Sequence, residues 1–153
     1  MSETYRYRAM VAWTGSTAVG YDHYDRAHAL HCPPAGTELA MSGDPAFRGD
    51  SARLNPEQLL LAAAASCQLL AFLAVAARAR IDVLDYEDDA AADMPEDDLP
   101  MRITAIRLRP RITVAPGTKT ERVHKLVALA HQECFIANSL RSEMDVQATV
   151  VVA

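Results

Sequence analysis

The sequence predicts an α+β fold, with strands before and after one long apolar helix and a second, amphipathic helix nearer the C-terminus. Three observations predict it. Residues 54–80, LNPEQLLLAAAASCQLLAFLAVAARAR, read as one helix that is apolar on almost every side. Ile106, Leu108, Pro110, Ile112 and Val114 alternate with Arg107, Arg109, Arg111 and Thr113, the period of a strand. Val123, Leu126, Val127, Ala130 and Cys134 fall on one stripe at helical spacing. At 153 residues the chain, 1–153, suits a single domain with a real core.

The elements follow in order. Tyr5, Tyr7, Ala9, Val11 and Trp13 alternate with Arg6, Arg8, Met10 and Ala12, predicting a half-buried strand closed by TGST. AVGYDHYDRAHAL is read as its hairpin partner. Between Pro33 and Leu54 the Pro, Gly and Asp residues leave room for a short strand at Glu38 to Met41 and then a long loop. Loops of that length in compact domains are usually functional. The long helix starts with Asn55 as N-cap, Pro56 in the first turn and Gln58 completing a capping box; Arg78 and Arg80 suit its C-terminal dipole. Ile81 to Tyr86 is a strand. Asp85 to Asp98 carries eight carboxylates in fourteen residues, without calcium-loop spacing, and reads as a solvated acidic connection. In the next strand the arginines form the wet face of an antiparallel sheet, and Pro110 places that strand at an edge or a bulge. Thr118 and Glu121 read as the capping box of the second helix, and Met144 to Val152 as a closing strand.

Composition excludes several classes. Half the residues are hydrophobic and 23% charged, so the chain is globular rather than disordered; a net charge of −5 leaves no nucleic-acid footprint. The N-terminal stretch MSETYRYRAMVAW lacks the apolar core of a signal peptide. Leu59 to Ala77 is an uncharged run long enough to span a bilayer, but it is alanine-rich, holds Ser66, Cys67 and Gln68 at its centre and has no aromatic belt. The reading is therefore a buried helix shared at a subunit interface of a cytoplasmic homodimer, without membrane or nucleic-acid partners. Three cysteines, Cys32, Cys67 and Cys134, lack framework spacing and fit a reducing compartment.

A thiol in the middle of an apolar helix is ordinarily inert. Chemistry at Cys67 requires a cation brought from elsewhere and a second thiol. The sequence offers arginines in AFRGDSARL and Cys134 on the second helix. Glu57, about fifteen ångströms along the helix axis from Cys67, can hold a guanidinium in a bidentate pair. Cys32 beside His31 is read as a bystander. His124 and His131 lack the short paired spacings of a zinc site.

Two segments carry a resemblance. NPEQLLLAAAASC, residues 55–67, resembles the Asn-Pro-Glu-Glu/Gln-Leu-x(6)-Ala/Ser-Cys segment of the OsmC/Ohr family of organic hydroperoxide reductases. ECFIANSL, residues 133–140, resembles that family's second cysteine segment, with Phe135 where proline is usual. SGDPAFRGDSARLNPEQ is similar to a less-studied branch. The resemblance implies an intertwined homodimer with antiparallel sheets wrapped around two central helices. It further implies that Cys67 is the peroxidatic thiol, Cys134 the resolving thiol, and Glu57 the carboxylate that fixes a catalytic arginine. Arg48 is the first candidate for that arginine, with Arg53 and Arg26 as alternatives. The implied substrate is an alkyl or fatty-acid hydroperoxide, and the implied reductant a lipoyl-type or small dithiol; no cofactor or metal is implied. The competing reading is a family member that binds a hydrophobic small molecule without turnover.

Overall fold

The computed structural model describes all residues, 1–153, as two compact units, Met1–Leu59 and Leu60–Ala153. The first holds a three-stranded antiparallel sheet in the order β1 (Met10–Ala12), β2 (His28–His31), β3 (Glu38–Met41). β3 lies where Pro and Gly spacing predicts it. The first strand is shorter than its alternation suggests, and Val11 is 68% exposed rather than half-buried. Its pairing stops at Met10 against His31, because the chain then turns back through Cys32 to Ala35 and offers no further partner. The expected early start of β2 is replaced by a 3-10 turn at Thr17–Val19. Ser16 caps that turn, and Gly20 leaves it at a φ of 93°.

The loop after β3 is ordered by its own short-range bonds. Asp44 caps a second 3-10 turn, Pro45–Phe47, and its carbonyl accepts from the Gly49 amide. Ser42 Oγ accepts from the Asp50 amide. Gly49 is held against the Gly43 backbone so closely that a Cβ there would sit 1.7 Å from the Gly43 carbonyl oxygen.

Helix α1, Pro56–Arg78, has the predicted bounds. Its capping box is fully made: Asn55 Oδ1 accepts from the Gln58 amide at 2.8 Å, and Gln58 Oε1 from the Asn55 amide at 3.0 Å. Within one chain the helix is not a buried element, for only Ala64, Gln68, Phe72, Val75 and Ala76 are fully covered. These recur at spacings of three and four, one face of the helix. Leu70, Leu73 and Ala77, on other faces, stay exposed.

The second unit contains two three-stranded sheets, β4 (Val83–Asp88), β7 (Pro110–Val114), β9 (Thr149–Val152) and β5 (Ala91–Asp93), β6 (Ala105–Leu108), β8 (Glu143–Val146). Each central strand has one antiparallel and one parallel neighbour, so the sheets are mixed where fully antiparallel ones are expected. The cause is helix α2, Thr120–Glu133, which returns the chain so that β8 and β9 run alongside β6 and β7 in the same direction. Two runs that each read as one strand change sheet midway, at Arg109 and at Gln147–Ala148. Pro110 therefore opens a central strand, a position where its missing N–H removes no ladder bond. The predicted inward face holds: Ile106, Leu108, Pro110, Ile112 and Val114 are all buried. The acidic stretch is partly a strand, β5, whose Asp93 makes a two-bond pair with Arg107.

The Thr118 capping box does not form. The Thr118 hydroxyl donates to the Ala115 carbonyl in the turn around Gly117, and α2 begins after Lys119 without a side-chain cap. Its apolar stripe is as expected, with Val123, Val127, Ala130 and Cys134 buried. Val123, Val127 and Ala130 pack with Phe72, Val75, Ala76, Ile112 and Val114 in the main core. A smaller cluster joins Ala64, Ile106 and Leu108.

Candidate functional site

Cys67 lies at mid-length of α1 and is half-buried; Cys134 ends α2 as its C-cap and is fully buried. Cys32 is exposed, and all three thiols are free. Cys67 and Cys134 are brought together as neighbours, near enough for Cys67 to help raise the Cys134 thiol. Burial pushes the Cys134 thiol above its ordinary value of 9.0, while the backbone amides of Ala137 and Ile136 act in the opposite direction. The Ala137 amide donates to Cys134 Sγ at 3.5 Å. Cys134 is thus a protonated thiol at neutral pH, with the Ala137 amide aimed at the sulfur to receive charge if the proton leaves.

Cys67 opens into a cavity of about 490 Å³. Leu70, Ala71 and Ala74 of α1 form one wall, and Phe135 and Asn138 stand opposite in sequence order after Cys134. Phe135, in the place of the family's proline, is 81% exposed and serves as cavity wall rather than core. An ion pair between Arg78 and Glu133, 3.2 Å long, supplies the only formal charges on the lining.

Gln68, next to Cys67, is fully buried. Its Nε2 donates to the Val127 carbonyl at 3.2 Å and ties α1 to α2, while its Oε1 has no partner. Tyr86 on β4 is another buried polar group, its hydroxyl unpartnered; burial, then Asp88 and then Cys134 raise its pKa. Tyr86 was not legible as part of the cysteine environment, because it meets Cys134 only through tertiary packing; Gln68 stands beside Cys67 in the sequence, but its bond to Val127 on α2 was not legible.

In the first unit, Glu57 lines a separate cavity of about 450 Å³ together with Trp13, Tyr24, Arg26, His28 and Phe47. Arg26 is clamped there. Its guanidinium stacks 3.7 Å from the Tyr24 ring centre and donates to the carbonyls of Tyr24 and Tyr21 at 2.6 and 2.5 Å. Arg48 is elsewhere in that unit: it has a φ of 68°, is 59% exposed, and pairs with Asp22 at 3.0 Å. Arg53 faces Asp50 at 3.8 Å. No cation lies within salt-bridge distance of Glu57, so the Arg48–Glu57 pair expected from the resemblance is not made in this chain.

The fold and the paired cysteines define a small α+β protein carrying two adjacent reduced thiols beside an apolar cavity. The chain belongs to the OsmC-like protein family, whose model matches residues 49–149. The structure is similar to an OsmC-like protein of unknown function from Vibrio cholerae, at 28% identity and a TM-score of 0.86, covering 95% of this chain and all of that one. It is also similar to organic hydroperoxide resistance proteins from Legionella pneumophila and Elizabethkingia anophelis. Each is 22% identical, with TM-scores of 0.72 and 0.73; 99% and 100% of this chain are covered, and all of each of theirs. Comparison with curated proteins gives no match.

Proposed function

We propose that the protein is a cytoplasmic, thiol-dependent peroxidase that reduces organic hydroperoxides to alcohols. The observation that carries this reading is that Cys67, open to an apolar cavity, is the neighbour of the buried thiol of Cys134. The Cys67 thiolate attacks the outer oxygen of R–O–OH. The O–O bond breaks, a sulfenic acid forms, and the alkoxide takes a proton to leave as alcohol. Cys134 then attacks that sulfur. Its thiol proton and the sulfenic hydroxyl leave together as water, and a Cys67–Cys134 disulfide remains. A dithiol of lipoyl or small-molecule type restores both thiols by exchange and is itself oxidised to a disulfide. The apolar lining suits an alkyl hydroperoxide better than hydrogen peroxide.

Thiolate formation at Cys67 requires a cation, and the reading assigns it to an arginine oriented by Glu57. Arg26 shares a cavity with Glu57, which supports it over the first candidate Arg48, already paired with Asp22. The working form is taken to be a homodimer. Two features of the single chain support that. Leu73 of α1 stays exposed, and the first unit leaves Tyr5, Tyr7, Val11, Trp13 and Phe47 uncovered, with Met41 its one fully buried apolar residue.

The test is peroxide consumption with dihydrolipoamide as reductant. Wild type should consume cumene hydroperoxide faster than hydrogen peroxide, and Cys67→Ser should abolish turnover. Cys134→Ser should perform one round and then accumulate overoxidised Cys67. Unchanged activity in Cys67→Ser, or none in wild type with any dithiol, replaces this reading with that of a hydrophobic-ligand binder.

A further inference from the structure

The Arg78–Glu133 pair is unexplained by the chemistry at Cys67. Arg78 is eleven residues after Cys67 on α1, which brings it back to within about 20° of the same helix face and about 16 Å along the axis. It is too distant to activate the thiolate, yet it lines the same cavity. Between the two run Leu70, Ala71 and Ala74, all uncharged and small or aliphatic. The cavity is therefore a slot with a sulfur toward one end, an apolar wall, and a guanidinium toward the other. The guanidinium is only loosely committed, since its pair with Glu133 is a single contact of 3.2 Å, with the Arg78 side chain largely and the Glu133 side chain half in solvent. An exposed pair of that kind contributes about 1 kcal/mol or less and exchanges readily for another carboxylate.

We propose that Arg78 anchors the carboxylate of an amphiphilic substrate whose apolar chain lies along Leu70, Ala71 and Ala74 and whose reacting end reaches Cys67. The proposal deepens the peroxidase reading and rests on it for the reacting end; to the fatty-acid hydroperoxides that the family resemblance already implies, it adds a site for the acid group, well separated from the peroxide. Glu133 is the counter-charge that the substrate carboxylate displaces. Arg78 thus determines specificity without touching the reacting atoms.

Two readouts separate the anchor from the chemistry. The first is binding of linoleate, below its micelle concentration, against its methyl ester, measured by displacement of a fluorescent fatty acid from the reduced full-length protein. Wild type should prefer the acid; Arg78→Gln should weaken acid binding about tenfold, the scale of one charge-assisted contact. Arg78→Lys should retain part of the preference, and Glu133→Gln should strengthen it. The second is the ratio of kcat/KM for linoleic acid hydroperoxide over that for cumene hydroperoxide, which should fall about tenfold in Arg78→Gln and rise in Glu133→Gln. Equal binding of acid and ester by wild type, or an Arg78→Gln variant with the wild-type preference in both readouts, overturns the anchor and leaves the peroxidase reading standing. Arg78-dependent binding of linoleate without peroxide turnover keeps the anchor and overturns the peroxidase reading.

Discussion

Oxidation of the thiol pair should stabilise the fold by an amount that the structure sets. Cys67 and Cys134 are neighbours while reduced, so a bond between them should require little rearrangement of the folded chain. It closes a loop of about 67 residues, which removes roughly 4 kcal/mol of loop entropy from the unfolded chain at 25 °C. Strain and residual structure in the unfolded state lower that figure, so about 2–4 kcal/mol is the expected gain. The assay is urea unfolding of a Cys32→Ser variant, reduced and after one equivalent of cumene hydroperoxide, at one protein concentration because an oligomer's stability depends on it. Removing Cys32 eliminates bridging through the exposed thiol. The oxidised form should show a higher midpoint, and a Cys67→Ser, Cys32→Ser variant should show no shift. An oxidised form that bridges the same two residues but is less stable than the reduced one would refute the reasoning, since the sulfurs would then be bonded only at the cost of distorting the native packing.

Further predictions rest on single residues. Iodoacetamide should label Cys134 slowest of the three thiols, in line with its burial and raised pKa; peptide mapping over time gives the order. The folded Cys134 binds its proton more tightly than the unfolded thiol. Its stabilising contribution is complete below the ordinary value of 9.0 and is lost as pH rises through the raised folded value, so Cys134→Ala should flatten the alkaline decline in stability above about pH 9. Tyr86→Phe should leave stability unchanged or raise it by about 1 kcal/mol, because it removes a buried hydroxyl that has no partner; a loss above about 2 kcal/mol in urea unfolding would contradict that. Leu73→Glu should convert the proposed dimer to a monomer at micromolar concentration by sedimentation.

What could be read from the sequence was local. The Asn55, Pro56 and Gln58 signals and the return of charge at Arg78 bracket α1, and both capping bonds are present. Alternation from Ile106 to Val114 identified the buried face because that period survives a change of sheet. The change itself, at Arg109, was hidden: a strand's period says which side is covered, not which neighbours it pairs with. The same is true at Gln147, whose amide bonds to the Leu108 carbonyl at a sequence distance no local pattern reports. Thr118 misled because a capping-box spacing also fits a turn hydroxyl, and here the Ala115 carbonyl takes the bond. At the site, the two cysteines were recognisable from their segments. Their company was not: Tyr86 enters through the packing of β4, and although Gln68 and Arg78 share the helix with Cys67, their partners Val127 and Glu133 lie on α2. The choice among Arg26, Arg48 and Arg53 was likewise open in the sequence. The structure gives Arg26 a cavity shared with Glu57, and Arg48 a different carboxylate.

The central claim is that Cys67 and Cys134 act as one redox couple toward an organic hydroperoxide. It is tested most directly by mixing the reduced protein with one equivalent of cumene hydroperoxide, quenching with acid, and mapping the thiols by mass spectrometry. The account predicts loss of two hydrogens from the intact mass, a single bridge between the Cys67 and Cys134 peptides, Cys32 still free, and one equivalent of alcohol released. Peroxide left unconsumed with all three thiols intact, or oxidation confined to Cys32, would contradict it.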